Sequence, residues 1–378
     1  MAIYLDCNAT TPMEPSVTAI VSRFMERDFG NAASPIHDYG VFARTAVDYA
    51  RRQVADVVKA RPDEVIFTSG ATESNNLAIL GLVKAGLQSG RRHLITTAIE
   101  HKAVLEPCEE MARLGFEVEI LPATRCGRFD PQRLADTLRP DTLLVSTMQV
   151  NNETGVLQPL DAVAQVLAEH DAYWHVDAAQ GFGKEIDQLR HPRIDMISIS
   201  GHKIYGPKGV GVLIARKRDG RFPPIRPLLY GGGQEQGLRP GTLPVPLIAG
   251  LGEAAKLSLK NGAERRDKCL TFRAGALEAF STLGPEQNGD EIHTLPHVLN
   301  VSLLGTSSDV AIEALKRVIA ISSTSACTSH TRTPSHVLAA MGCSTDQVES
   351  SLRLSWCHMT PEVDWDRVIS ILRQLRLQ

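Results

Sequence analysis

Between about residue 60 and residue 220 the chain alternates short β-rich runs with amphipathic helical stretches, and this alternation restricts the fold more than any other feature. Seven runs read as strands: 64–70 (EVIFTSG), 93–100 (HLITTAIE), 117–122 (EVEILP), 142–150 (TLLVSTMQV), 172–180 (AYWHVDAAQ), 194–201 (IDMISISG) and 209–216 (GVGVLIAR). In 72–86, 102–115, 131–138 and 159–171 apolar residues recur three and four apart, the spacing of one helical face. Pro131 and Pro159 stand where a first helical turn tolerates proline. Apolar strands separated by helices predict an α/β fold, with a mostly parallel seven-stranded sheet flanked by helices. The pattern changes after 229–244: a helical stretch runs from Val245 to about Phe280, and mixed strand and helix signals follow in HVLNVSLL, VAIEALKRV, SLRLSW and VDWDRVISILRQLRL. These features predict a large domain over 13–255. A smaller α+β domain is predicted from 256–378, with 1–12 packed into it.

A chain of 378 residues with 43% hydrophobic and 22% charged residues has an ordinary globular composition. The formal net charge of −3 offers no single-sign field to draw it onto nucleic acid or an anionic membrane, so direct contact with either is not expected. The start, MAIYLDCNATTPMEP, has no basic leader followed by an apolar run. Its seven cysteines, Cys7, Cys108, Cys126, Cys269, Cys327, Cys343 and Cys357, form no C-x-x-C pair. Both features predict a cytoplasmic protein without a zinc or iron–sulfur centre. The phosphate-binding P-loop, the H-E-x-x-H zinc helix and the G-x-S-x-G elbow are all missing.

The informative residues cluster at the ends of successive predicted strands, where open α/β sheets bind ligands. Ser69-Gly70-Ala71-Thr72 follows a strand and opens a helix, so the amides of Ala71 and Thr72 offer a phosphate site; Thr72 is equally an ordinary cap. Glu100-His101 ends the next strand. His101 suits either a structural hydrogen bond or stacking on a flat ring with proton transfer. Asp177, after an apolar strand, needs a partner such as a protonated ring nitrogen, or caps a helix. Lys203, in Ser200-Gly201-His202-Lys203, is either an exposed loop lysine or a desolvated amine able to form a Schiff base. Together these groups meet the needs of pyridoxal 5′-phosphate, whose ring draws electrons only while its nitrogen stays protonated. Cys327 lies in a polar run of small residues, 322–334 (SSTSACTSHTRTP), and reads as a reactive exposed thiol, whereas the other six cysteines fall in helical or strand patterns. Arg353 alternates with Leu352 and Leu354 and so points away from them. It reads as a clamp for a substrate carboxylate or as a surface residue.

With these motifs assembled, the chain resembles the NifS/IscS-type cysteine desulfurases of the class V aminotransferase family. The likeness runs from YLDCNATTP nearly to the last residue, through FTSGATESNN (67–76), EHKAV (100–104), VNNETG (150–155), HVDAAQ (175–180), SGHKIYGPKGVG (200–211), GGGQEQGLRPGTLP (231–244) and SSTSACTS (322–329). It implies pyridoxal-phosphate fold type I and a homodimer. It also implies release of sulfur from L-cysteine, giving L-alanine and a persulfide on Cys327 that passes to an acceptor protein. Lys203 would bond the cofactor, His101 stack on it, Asp177 pair with its ring nitrogen and Gln180 reach its phenolic oxygen. Ala71, Thr72, Ser200 and His202 would hold the phosphate, joined by Thr242 from the partner subunit. Asn152 and Arg353 would bind the substrate.

The chain also departs from that pattern. Thr324 stands where many relatives have glycine, and Pro240 where serine is common. It ends at Gln378, whereas housekeeping members carry a longer tail that helps dock the iron–sulfur scaffold. The resemblance then implies a dedicated acceptor, an iron–sulfur protein being one candidate, and a kinship with the desulfurases that supply iron–sulfur clusters, tRNA thio-modification or DNA phosphorothioation. Another pyridoxal-phosphate lyase or transaminase, such as a selenocysteine lyase, is the alternative enzyme, but a transaminase has no use for Cys327. A non-catalytic scaffold of the same fold would not need both Lys203 and Cys327.

Overall fold

A computed structural model describes residues 2–323 and 334–376. Its centre is a seven-stranded sheet in the order 65–68, 211–215, 196–200, 173–177, 142–148, 93–97 and 117–121. Neighbouring strands are parallel except at 211–215, which runs antiparallel to both 65–68 and 196–200. Every residue of 65–68, 93–97, 142–148, 196–200 and 211–215 is buried, as expected of strands covered on both faces. The edge strand Glu117–Leu121 is largely exposed, and Glu117 pairs with Arg139 at 2.6 Å; charge on an edge discourages pairing with another chain.

Two apolar cores cover the faces of this sheet. One includes Phe67, Val145, Trp174, Ile197 and Ile214, and the other Ile66, Leu94, Leu144, Met196 and Leu213. The alternation of these residues along each strand sends neighbours to opposite faces. The predicted helix over 72–86 is interrupted, running as Ala71–Leu80 and Val83–Ser89, with Gly81 at the break. A side chain at Gly81 would force a shift, because a Cβ there would run into the Leu77 carbonyl oxygen one turn back, with the Arg226 carbonyl oxygen and Ile225 Cβ also close at 3.1 Å.

The long helix predicted from Val245 spans Val245–Ser281. Its first half belongs to the core beneath the sheet, through Ile248, Leu251 and Ala255. Its second half belongs to a separate core, with Cys269, Ala276 and Phe280 beside Leu299, Leu352, Leu354 and Trp356. The helix lies against Pro15–Glu26 and Asp38–Val58 at short range: a Cβ on Gly250 would meet Val21 at 2.6 Å, and one on Gly252 would meet Ala50 Cα at 2.6 Å. The second core lies against a four-stranded antiparallel sheet ordered 322–323, 351–355, 298–302 and 286–287. The N-terminal strand Ile3–Tyr4 pairs with Ile319–Ala320, and Leu5 is part of that core. No helix of the described residues is long and apolar enough to cross a membrane.

The loop after 215 is pinned by Glu235. Its carboxylate pairs with Arg51 at 2.5 Å and accepts from the Phe67 amide at 2.7 Å, with 2% of the Glu235 side chain exposed. Glu235 and Gln236 both hold left-handed backbone angles, φ 51 and 60°, a conformation that disfavours residues other than glycine. A bidentate, buried ion pair compensates that strain. We expect Glu235→Ala to lower stability by about 3 kcal/mol or more, because the change strands the Arg51 charge. The measurement is the midpoint of denaturant unfolding, and an unchanged midpoint would show that the loop does not depend on this pair.

Candidate active site

The strands 65–68, 93–97, 142–148, 173–177 and 196–200 all end at one edge of the sheet, and a cavity of about 530 Å³ lies there. Its walls include Ala71, Thr72, His101, Asn152, Asp177, Gln180, Ser200, His202, Lys203 and Arg353. Ten of the residues singled out from sequence are thus brought together. Thr242 is not among them: it is exposed and lies in a different pocket, with Arg51 and Glu235. Cys327 and Thr324 lie outside the described residues.

The phosphate end is built from a close approach of two backbones. A Cβ on Gly211 would sit 2.5 Å from Gly70 Cα, so glycine at 211 lets the strand start come against the turn before Ala71. The helix begins at Ala71, and its first amides have no acceptor within the helix. Glu73 braces this turn: its carboxylate accepts from the Ser69 amide at 2.7 Å and from Arg239 Nε at 3.0 Å. Ser200 and His202 flank it, and His202 Nδ1 meets Thr10 Oγ1 at 3.1 Å. Burial and the neighbouring Lys203 and Lys208 cations push the His202 pKa down to about 4, so the ring is neutral at pH 7.

Asp177 ends the strand Tyr173–Asp177 with its carboxylate fixed on both oxygens. Asn75 Nδ2 donates to Oδ2 at 2.8 Å, and the Ala179 amide donates to Oδ1 at 2.9 Å. His101 caps the helix Lys102–Arg113, with Nδ1 accepting from the Ala103 amide at 3.0 Å. That bond places the proton of the neutral ring on Nε2. Desolvation in the cavity is the largest influence on His101 and holds its pKa below the usual value, against the attraction of Asp177. Behind it, Glu100 is fully buried, and the protein around it raises its pKa to about 8.

Lys203 follows the strand Met196–Ser200 in a short turn, Gly201–Lys203. Its amine donates to the carbonyl oxygens of Asn8 and Ala9, the latter at 2.9 Å. Burial comes first, then repulsion from Lys184 and Arg353, in bringing its pKa down to about 7. The amine is therefore partly uncharged at neutral pH, which a nucleophilic lysine requires.

Arg353 stands on the strand Ser351–Ser355 between Leu352 and Leu354, whose side chains enter the second core. Strand alternation turns Arg353 the other way, into the cavity. Its guanidinium pairs with Asp6 at 2.7 Å and reaches the Asn152 carbonyl at 3.2 Å, leaving Nε buried without a partner. The loop holding Asn152 is shaped by Asn151, whose Oδ1 accepts from the Glu153 and Thr154 amides and whose Nδ2 donates to Ile99.

Sequence reasoning missed three polar side chains of the cavity. Asn8 donates to Asn152 and accepts, at its carbonyl, from Gln180 at 2.9 Å and from Lys203. Asn75 orients Asp177, and Lys208 adds a cation. Asn8 and Asn75 lie inside motif blocks, YLDCNATTP and FTSGATESNN, but neither residue type signals its role without the fold. The cysteine expectations also need a correction. Of the six, Cys108 and Cys269 lie in helices, whereas Cys7 and Cys126 sit in turns and Cys343 and Cys357 outside helix and strand; Cys126 is exposed between Ala123 and Phe129, where Gly127 takes a positive φ of 81° and reverses the chain.

The residues present fit pyridoxal phosphate. The cavity volume falls in the range for small-molecule sites. It combines a helix N-terminus with hydroxyl and imidazole donors for a phosphate, a fixed carboxylate for a ring nitrogen and a neutralised amine for an aldehyde. Asn8 Oδ1, Asn75 Oδ1 and Gln180 Oε1 are buried without partners, and buried amide oxygens normally have one. No cluster of His, Cys, Asp and Glu among the described residues could hold a metal ion.

Comparison with known proteins gives a consistent result. The family model described as aminotransferase class-V matches residues 3–368. Cysteine desulfurase IscS of Escherichia coli (strain K12 / DH10B) is 42% identical over 379 residues, covering 99% of this chain and 92% of the relative. A solved NifS-like protein superposes with a TM-score of 0.92 at 33% identity, each chain covered completely. DndA from Streptomyces lividans superposes with a TM-score of 0.83 at 49% identity, covering 92% of this chain and 98% of that one.

Asn75→Ala removes one of the two donors to Asp177 and leaves its packing neighbours in place. We expect the cofactor to be held about tenfold more weakly, the scale set by a hydrogen bond to a charged group. Cofactor retention during dialysis measures this, and retention equal to wild type would separate Asp177 from Asn75.

Proposed function

This chain belongs to the aminotransferase class-V family, and from that premise we propose how its cavity works as a pyridoxal-phosphate-dependent cysteine desulfurase. The reaction takes sulfur from L-cysteine, yields L-alanine, and leaves a persulfide on Cys327 for an acceptor protein. The observation that carries this reading is the convergence of Lys203, Asp177, His101 and Arg353 on one cavity at the strand ends.

When bound, pyridoxal phosphate supplies an aldehyde for an amine and a ring that draws electrons from the substrate Cα. Ala71, Thr72, Ser200 and His202 would hold its phosphate, Asp177 would keep its ring nitrogen protonated, and Gln180 would serve its phenolic oxygen. The partly uncharged amine of Lys203 would provide the covalent attachment for its aldehyde. Arg353 and Asn152 bind the substrate, with Arg353 offering its guanidinium to the carboxylate. His101 keeps Nε2 available to hold or pass a proton. The Cys327 thiolate then attacks the substrate sulfur: the S–S bond forms as the Cβ–S bond breaks, and the carbon skeleton leaves as alanine after protonation.

Thr242 lies outside this chain's own cavity. We therefore include a homodimer in the proposal, in which Thr242 of one subunit serves the phosphate end of the other's site. The acceptor is a dedicated protein in the cytoplasm. The 49% identity with DndA favours a route toward DNA phosphorothioation over general iron–sulfur supply. With a net charge of −3, DNA contact falls to partner proteins.

Two measurements test the mechanism. Cys327→Ser should still give the cysteine-dependent change in the cofactor's absorption but form no persulfide and release no alanine. Alanine release at the wild-type rate by that variant rejects Cys327 as the nucleophile. The second is the pH dependence of cofactor uptake by the apoprotein. Lys203 has a lowered pKa of about 7, so it is charged below that value and neutral above it. Uptake should rise about tenfold from pH 6 to pH 8 and then level off. A rise continuing toward pH 10 would mean that Lys203 titrates as an ordinary lysine.

A further inference from the structure

Below the cavity, Cys7, Tyr205 and Cys357 form a small buried cluster of their own, with Met359 packed against it. None of these residues has a task in the reaction described above. Cys7 is 1% exposed and Cys357 4%. Their segments are already joined: the Cys7 amide donates to the Ser355 carbonyl at 3.0 Å, and Asp6 bridges Ser355 in parallel register. The two side chains pack in this one cluster, and each thiol influences the titration of the other. The Cys357 sulfur also accepts from Thr360 Oγ1 at 3.7 Å, and Thr360 Oγ1 in turn accepts from the Cys357 amide at 2.9 Å.

We propose that Cys7 and Cys357 form a second thiol site, separate from Cys327, that a peroxide converts into an intramolecular disulfide. Three features distinguish this pair from the other described cysteines, all of which are free. First, both cysteines lie in one buried cluster on segments that are already hydrogen-bonded side by side, which brings the two thiols into one neighbourhood as a disulfide requires. Second, Cys357 borders an open groove shared with Glu264, Lys268, Thr271, Phe272 and His358, a route for a small oxidant. Third, Cys357 is set up as a thiolate. The neighbouring Cys7 thiol does most to bring its pKa down to about 6, with the Met359 amide, the Thr360 hydroxyl and the Lys184 ammonium adding to it. Cys7 moves the opposite way, as the thiol that keeps its proton. By contrast, burial raises Cys108 and Cys269 to about 12, where neither is an effective nucleophile.

The chemistry balances with peroxide as the oxidant. The Cys357 thiolate attacks one peroxide oxygen, the O–O bond breaks, and hydroxide leaves and becomes water on taking a proton. This gives a sulfenic acid at Cys357. The Cys7 sulfur then attacks the Cys357 sulfur, the S–O bond breaks, and a second water leaves as Cys7 gives up its proton. Two electrons pass from the thiol pair to the peroxide. The new bond would fix residue 7 between Asp6, which holds Arg353, and Asn8, which holds Lys203, Gln180 and Asn152.

The test uses the full-length, cofactor-loaded protein carrying Cys327→Ser, which removes the thiol expected to react with peroxide during turnover. After hydrogen peroxide and blocking of remaining thiols, the protein is digested and its peptides weighed. The expected product is a pair of peptides containing Cys7 and Cys357, linked and two hydrogens lighter than the free pair, and separated by dithiothreitol. With Cys7→Ser added, the reaction should stop at a sulfenic acid on Cys357 that dimedone captures. The proposal is overturned if both thiols stay open to alkylation after unfolding, if Cys357 joins Cys269 instead, or if dimedone marks another cysteine and leaves Cys357 unmodified.

Discussion

The ion pair between Asp6 and Arg353 joins two parts of the molecule that have separate cores. Arg353 is carried on the small antiparallel sheet, and the groups it must work with are carried on the large one. The N-terminal segment crosses between them. Leu5 is buried in the small core, Asp6 holds Arg353, Asn8 and Ala9 accept from Lys203, and Thr11 bonds His202. A short stretch without regular structure thus sets the distance between the substrate clamp and the cofactor lysine. With 10% of the Arg353 side chain and 18% of the Asp6 side chain exposed, the pair is largely withdrawn from water, and removing one partner would strand the other's charge.

That placement has an electrostatic consequence. Lys184, Lys203 and Arg353 lie close enough for each of the other two to lower the pKa of Lys203, while Asp6 and Asp177 oppose them. An amine buried beside two cations gives up its proton more readily than one in water, and the cost of holding it there is met by carbonyls that accept from it. Lys184 is itself half-buried, with His297 at 3.2 Å and no carboxylate in hydrogen-bond contact among the described residues, and its pKa falls to about 8. The excess of positive charge around the cavity suits a ligand that brings a phosphate and a substrate that brings a carboxylate.

Much of this was legible from the sequence because it follows from short-range rules. The strand–helix alternation specified the sheet, and the polar residue ending each strand specified the cavity rim, since both depend on local pattern and on where parallel strands end. Arg353 was legible through its two leucine neighbours. What stayed hidden depends on contacts distant in sequence. Asn8 acts on residues 144 to 195 positions away, and the Asp6–Arg353 pair spans 347 positions, so no local pattern announces either.

The same long-range logic governs the described residues that follow Cys327 in the chain. Ser335 donates to the Glu153 carboxylate, and His336 Nε2 meets the Glu100 carbonyl at 2.9 Å. Glu153 neighbours Asn152, and Glu100 neighbours His101, so the return of this segment is fastened directly beside a substrate-binding residue and a cofactor-facing one. Both acids are buried and have raised pKa values, about 7 for Glu153 and about 8 for Glu100, with desolvation the main cause. A protonated carboxyl needs no counter-ion and can still accept through its carbonyl oxygen. Glu153 can therefore anchor the segment through its carboxyl without adding a full negative charge that would compete with the substrate carboxylate for Arg353, while Glu100 anchors it through its main-chain carbonyl. A permanent anion at Glu153, one residue from Asn152, would weaken the attraction that the clamp depends on, and its burial is what limits that charge near neutral pH.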